Sequence, residues 1–329
     1  MDLTFRGKQQ MSAAKRGAVE VAAIGAGVGK AAVRDKRAER IQALRDQQAR
    51  EARRKVMISV TAVVAVIAVV AVLVVVKLVA GSSTATNAHA TVPAPAAVSN
   101  ALATVPAATY DAIGSGTSSN PPTYINGPAL TAGGKPRVLY VGAEYCPFCA
   151  AERWAMTTAL ARFGTWKNLG VTWSSSTDVH PNTPTLSFHG ATFTSPYISF
   201  TGVETQSNQQ VNGSYPQLDN PSAADTALLN KYDNPPYVSS QVANSIPFVD
   251  IGGKWMISGA DFDPTVLAGK TQAQIASALA DPTSAIAKAA IGGANVITAA
   301  ICDVTGNSPA SVCNTAGVKA AAKVLKKKG

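Results

Sequence analysis

Two cysteines three positions apart, in Cys146-Pro147-Phe148-Cys149, directly follow the apolar run Val138-Leu139-Tyr140-Val141 and open an amphipathic helical pattern. Thiols so spaced at a strand-to-helix junction suit thiol–disulfide exchange. The first sulfur would stand at a helix N-terminus, where unpaired N–H groups and the helix dipole favour a thiolate. The second, one turn on along the same face, is near enough to close a disulfide with it. Pro147 fits the first helical turn, where its missing N–H is no loss. The expected chemistry has Cys146 as the exposed attacking sulfur and Cys149 as the resolving one, with a mixed disulfide between them. Tyr145 and Phe148 would frame the sulfur with apolar surface suited to an unfolded peptide. Glu144 and Glu152 flank the site and could tune it or carry protons; solvated surface carboxylates are the plainer reading.

Zinc is the competing use of a Cys-x-x-Cys pair, and it needs two more ligands. The remaining cysteines, Cys302 and Cys313, have ten residues between them, and His89, His180 and His189 form no ligand spacing. No metal or cofactor is therefore expected. The segment between Cys302 and Cys313 contains Gly306 and Pro309 and reads as a loop between helices. A structural disulfide is the simpler reading, and closing so short a loop would stabilise the fold by under roughly 3 kcal/mol. The sharper one is a relay exchanging electrons with Cys146 and Cys149. Gly25-Ala26-Gly27-Val28-Gly29-Lys30 suggests a phosphate loop and fails it: Ile24 stands where a glycine is required and Ala31 where a Ser or Thr is.

Several elements must position the cysteines. Residues 137–141 read as a short buried strand, and helix follows from Pro147 to about Phe163, its apolar side carrying Ala151, Trp154, Ala155, Leu160 and Ala161. Residues 171–175 read as a second strand. Alternation at Leu186/Phe188 and Ile198/Phe200 predicts a hairpin about Gly190, and residues 223–231 predict a helix. Ile246-Pro247-Phe248-Val249-Asp250-Ile251 is a strand, Gly252-Gly253 a two-residue turn, and residues 254–258 its partner. Helices are expected over 271–280, 284–300 and 318–328.

The rest of the chain says where this chemistry would operate. Residues 1–55 carry 14 Lys/Arg against 6 Asp/Glu, so most of the net +10 belongs to this arm. The overall basicity is thus no argument for a nucleic-acid partner. Residues 56–76 follow, 21 residues without a charge and with only Ser59 and Thr61 polar. At 1.5 Å per residue such a helix spans a bilayer of roughly 30 Å. A buried core helix would not be apolar on all faces. A cleavable signal, with Ala88-His89-Ala90 as its cleavage site, would have a shorter apolar run and leader. The positive-inside rule puts the basic arm in the cytoplasm and the C-terminal part outside, where disulfides persist. The expected layout is a basic cytoplasmic arm (1–55), a transmembrane helix (56–79), an Ala/Pro/Ser-rich linker (80–134) with a short helix near 96–102, and an external domain (135–329).

The order strand, Cys-x-x-Cys helix, strand, excursion, Ile-Pro strand, Gly-Gly turn, strand and helix resembles the thioredoxin fold. Beyond that, Gly142-Ala-Glu-Tyr-Cys-Pro-Phe-Cys-Ala-Ala-Glu-Arg-Trp154, Phe163-Gly164, residues 185–188, Ile246-Pro-Phe-Val-Asp250 and the late cysteine pair resemble the membrane-anchored, thioredoxin-like domain-of-unknown-function family 929. The resemblance implies an α/β, thioredoxin-like fold with a large central insertion (177–244) and extra C-terminal helices, preceded by one transmembrane helix. It implies that Pro247 is a cis-proline beside the cysteines, with Ile246 in a substrate groove. Tyr140 stands where thioredoxin keeps a buried carboxylate that manages the second cysteine's proton, and Glu144 is the nearest substitute. The family supports the fold more than an activity; the cysteine spacing and the membrane run together give the expected activity, a membrane-tethered, extracytoplasmic thiol–disulfide oxidoreductase acting on exported cysteine-containing proteins, with a membrane thiol oxidase or reductase and the lipid bilayer as further partners. A dedicated reductase for one client, or a non-catalytic envelope assembly module with a structural disulfide, are the rival expectations.

Overall fold

The computed structural model describes residues 90–325. The expected basic arm and membrane helix, and part of the expected linker, lie outside the described residues.

The chain is a mixed α/β protein. In chain order its strands are β1 Val92–Pro93, β2 Thr123–Tyr124, β3 Thr131–Ala132, β4 Lys135–Gly142, β5 Thr165–Lys167, β6 Gly170–Trp173, β7 Pro184–Ser187, β8 Thr192–Thr194, β9 Ser199–Glu204, β10 Phe248–Ile251 and β11 Trp255–Ser258. Its helices are α1 Ala96–Ala103, α2 Ala107–Ile113, α3 Pro147–Leu160, α4 Ala223–Tyr232, α5 Gln272–Ala278, α6 Ala285–Val304, α7 Ala310–Cys313 and α8 Ala316–Ala321.

β4 is the central strand. Its run Val138 to Val141 is buried on both faces, which is why it reads as continuously apolar. β10 lies antiparallel on one side, Phe248 opposite Val141 and Ile251 opposite Val138. β9 lies parallel on the other, Ser199 opposite Arg137 and Glu204 opposite Gly142. β11 and then β2 extend the sheet beyond β10. The tight β10–β11 turn needs glycine: Gly253 has φ +73°, and a Cβ there would sit 1.9 Å from the Pro128 carbonyl oxygen.

Alternate residues along these strands serve two cores. Val138, Tyr140, Val249 and Ile251 pack with Trp154, Ala155 and α6, while Leu139, Val141, Phe248 and Met256 pack with Tyr232 and, at its rim, Leu228 and Leu229 of α4. Two helical layers thus sandwich the sheet. α6 is long and apolar enough to cross a membrane, yet 89% of its apolar window is buried inside the fold. It packs directly on α3.

Several expectations change. The predicted hairpin about Gly190 does not form: β7 pairs with β6, Leu186 opposite Val171, whereas β9 pairs with β4. Each run can pair equally well by pattern; in the fold β9 runs parallel to β4 with Val203 beside Val141. The described part of the predicted linker is packed, not free. Val98, Leu102 and Tyr110 from α1 and α2 are buried in the main core, and Val92 pairs with Val171. The last helix is also shorter than predicted, α8 ending at Ala321 before a 3-10 turn.

Candidate active site

β4 ends at Gly142, and four residues later Cys146 caps α3. Its Sγ accepts the backbone N–H of Cys149 at 3.2 Å, the use of an orphan helix donor that the spacing predicts. Sγ also stands 3.7 Å from the carbonyl oxygen of Ile246. The Ile246–Pro247 peptide is cis, and the Pro247 carbonyl accepts the Gly259 N–H at 2.8 Å, tying this loop to the end of β11. The resemblance-derived neighbours Ile246 and Pro247 are therefore brought to the cysteines.

Both cysteines are free thiols. Cys149 lies fully inside. Cys146 is only 5% exposed, which corrects the expectation of an exposed sulfur. The reason is local: Sγ turns inward onto the Cys149 N–H and towards the Ile246 carbonyl. The excursion meets the rings next to it in sequence. Tyr145 stacks on Tyr215 with ring centroids 4.4 Å apart, and Phe148 meets His180 edge-on at 5.5 Å. The Tyr215 hydroxyl is hydrogen-bonded to Ser175, whose N–H donates to the Tyr145 carbonyl at 2.8 Å. Phe148 alone of these rings presents a substantial open face, at 39% exposure.

The two sulfurs are electrostatically unequal. Cys146 is held below the ordinary thiol value, first by the Cys149 side chain donating to it and then by the Cys149 and Phe148 backbone N–H groups and the Arg153 charge, against burial. Cys149 is pushed well above that value, chiefly by burial and then by its contact with Cys146. This is the asymmetry an attacking and a resolving thiol require. Burial likewise pushes the Tyr145 hydroxyl up to about 12.

Sequence reasoning missed the ion pair beside them. Arg153, fully buried, donates from Nε and Nη2 to the two carboxylate oxygens of Glu204, each at 2.7 Å. Nη2 also donates to the Ala143 carbonyl at 2.6 Å. Its signal was present: an arginine four residues after Cys149, within Ala150-Ala151 and Trp154-Ala155, sits on a face too apolar for a solvated cation. Tyr140 is fully buried and its hydroxyl has no hydrogen-bond partner. Glu144 is buried and accepts from Ser187 Oγ at 2.6 Å and Thr91 Oγ1 at 2.8 Å. Glu152 is not on the surface either. Its Oε2 accepts the Asp261 N–H at 3.0 Å, and burial with the nearby Asp261 charge pushes it up to about 8.

β7 fixes α3 from the side. Thr185 Oγ1 donates to the Ala150 carbonyl at 2.8 Å, and Trp154 Nε1 donates to the Pro184 carbonyl at 3.0 Å.

Cys302 and Cys313 form a disulfide with Cα atoms 5.6 Å apart. It joins the end of α6 to α7 near Trp255, whose Nε1 donates to Asp303 at 2.7 Å. Trp255 pairs with Ile251, at the opposite end of β10 from Phe248 and Pro247. The disulfide and the Cys146 site thus lie at opposite ends of the sheet. Among the described residues no group of three or more His, Cys, Asp or Glu comes together as a metal site.

Residues 121–303 match the family model described as Domain of unknown function (DUF929). No curated protein matches, and no solved structure matches.

Proposed function

We propose, from the premise that this chain belongs to the family Domain of unknown function (DUF929), that it is a membrane-tethered, extracytoplasmic thiol–disulfide oxidoreductase with a thioredoxin-like catalytic core. The observation that carries the reading is the unequal pair at one helix N-terminus. The Cys146 sulfur accepts the Cys149 N–H at 3.2 Å and is held low, while Cys149 behind it is fully buried and held high. A structural disulfide needs no such difference; an exchange site does.

In the proposed reaction the Cys146 thiolate attacks a client disulfide, one client sulfur leaves with the electron pair and takes a proton, and a mixed disulfide remains. Cys149 then attacks Cys146, closing the Cys146–Cys149 bond and releasing the second client thiol. Run backwards, the same steps oxidise a client dithiol. The thioredoxin-like reading is supported by the helix after β4, the parallel β9, the antiparallel β10–β11 pair and the cis Pro247 at the sulfur. The tether rests on the uncharged run 56–76 and the basic arm before it. Exported cysteine-containing proteins are the proposed clients, with a membrane thiol oxidase or reductase as redox partner.

A narrower reading, one dedicated client, is favoured by a specific feature: Cys146 is nearly covered, and the Tyr145 and Phe148 rings on either side of it in sequence are held by Tyr215 and His180. Trapping distinguishes them. The full-length Cys149→Ala chain, expressed in its native envelope, should accumulate mixed disulfides through Cys146. Many trapped exported proteins would indicate general disulfide exchange; one would indicate a dedicated client. If Cys146 of the reduced chain stays inert to alkylation at neutral pH, the oxidoreductase reading fails.

A further inference from the structure

We propose that the Arg153 guanidinium is the positioning cation of the resolving step: it stabilises the Cys149 thiolate at the moment Cys149 attacks the mixed disulfide on Cys146. This rests on the exchange reading above.

Placement comes first. Arg153 follows Cys149 by four residues on α3, so the two side chains share one face a turn apart. Both are fully buried. The guanidinium plane is fixed by its paired bonds to Glu204 and by the Ala143 carbonyl, leaving Nη1 without a hydrogen-bond partner in the interior. The Ala143 carbonyl, between the end of β4 and the cysteines, receives Arg153 Nη2 at 2.6 Å and holds the guanidinium at the start of α3. The ionisable neighbours are few. Cys146 shares the helix, Tyr140 on β4 lies under the guanidinium at 6.0 Å, Glu204 closes β9 and Glu144 follows β4. Arg153 is the cation among them.

Energetics point the same way. A buried ion pair contributes little net stability compared with apolar residues of similar volume, so stability alone gives no reason for one beneath a thiol. Burial disfavours the Cys149 thiolate, and a fixed positive charge in a medium of low dielectric is the strongest available compensation. In the step itself the Cys149 S–H bond breaks and its sulfur forms a bond to Cys146 Sγ, while the client sulfur leaves with the electron pair of its broken bond to Cys146 and takes up the proton that Cys149 gave up. The Arg153 proton stays in place throughout.

The test uses dithiobis(nitrobenzoate) on the reduced full-length chain. Attack by Cys146 releases the first coloured thiol, and attack by Cys149 releases the second. Each rate is followed against pH, with circular dichroism on every variant. The Glu204→Gln change removes the opposing anion and should move the second release to lower pH. The Arg153→Met/Glu204→Gln change should move it to higher pH by a unit or more, slowing it about tenfold or more at neutral pH, with a smaller effect on the first release. Arg153→Lys should retain most of the wild-type profile. Identical profiles for the second release in all variants, or equal shifts in both releases, would overturn the proposal. If the double variant does not fold, the direction of the Glu204→Gln shift decides, and no shift or an upward one overturns it. A chain that never releases the first thiol refutes the exchange reading itself, a result separate from these.

Discussion

Replacing Glu152 by glutamine should remove a pH-dependent loss of stability. The carboxyl lies in the fold's interior beside Asp261, and burial, then the Asp261 charge, push it from 4.5 up to about 8. In the unfolded chain it returns to near 4.5. Between these values the folded protein holds a proton that the unfolded chain has lost, so stability falls as pH rises. The slope for one such proton is about 1.4 kcal/mol per pH unit, giving a total on the order of several kcal/mol across the window. Below it the penalty is absent, and above about pH 8 it is complete. The glutamine side chain would keep an oxygen for the Asp261 N–H but does not titrate. Asp250, raised to about 6, and Glu204, also raised, act in the same direction, so the informative quantity is the variant minus the wild type. Urea unfolding followed by tryptophan fluorescence at about pH 5.5, 7 and 8.5 reads it. The variant should gain on the wild type with each step upward. Parallel curves for the two proteins would show that Glu152 does not hold the proton, and the reasoning fails.

Arg153→Met alone leaves Glu204 buried and unpaired and should cost about 3–5 kcal/mol in urea unfolding, whereas adding Glu204→Gln should recover part of it; a double variant no more stable than the single would contradict the pairing. The Cys302→Ala/Cys313→Ala variant should melt lower, by up to about 3 kcal/mol of stability, with its exchange rate unchanged; a slower exchange would put that disulfide in the electron path. Tyr215→Ala removes a ring contact of about 1 kcal/mol and should speed alkylation of Cys146 by a bulky maleimide about fivefold, with little effect on iodoacetamide. Equal acceleration of both reagents would mean that the stack does not gate the sulfur.

What could be read from the chain follows how local each feature is. The Cys146 cap, the start of the α3 helix and the glycine turn after β10 are written in consecutive residues; the cap and the helix start fall where the pattern puts them, while the turn takes in Lys254 as well as the expected Gly252-Gly253, Ile251 pairing with Trp255. Pairing partners are not local. Leu186/Phe188 and Ile198/Phe200 show strand alternation, but nothing in it says that β7 goes to β6 and β9 to β4 across some sixty residues of chain. The segment carrying Val98 and Leu102 looked like a linker because a few apolar residues among many alanines carry little periodicity. The site was legible in its sulfurs and in Pro247, and illegible in its electrostatics: Arg153 meets Glu204, fifty-one residues on, only once β9 lies beside β4.

The apolar helix α6 has a consequence for how the chain would reach the proposed compartment. Its twenty residues satisfy the length of a membrane span before they have anything to pack against. Export of the unfolded chain would pass it through a translocation channel that sorts segments by hydrophobicity, and a strongly apolar one would be diverted sideways into lipid. α6 is built mostly from alanine, glycine and isoleucine, interrupted by Lys288, Asn295, Thr298 and Asp303. These residues make lateral partitioning unfavourable. Under the proposed export, Asn295 would serve twice. In the finished domain its amide donates to the Tyr110 and Gly114 carbonyls at 2.8 and 2.7 Å and anchors α2. In the proposed export, the same amide would be a barrier against stopping halfway.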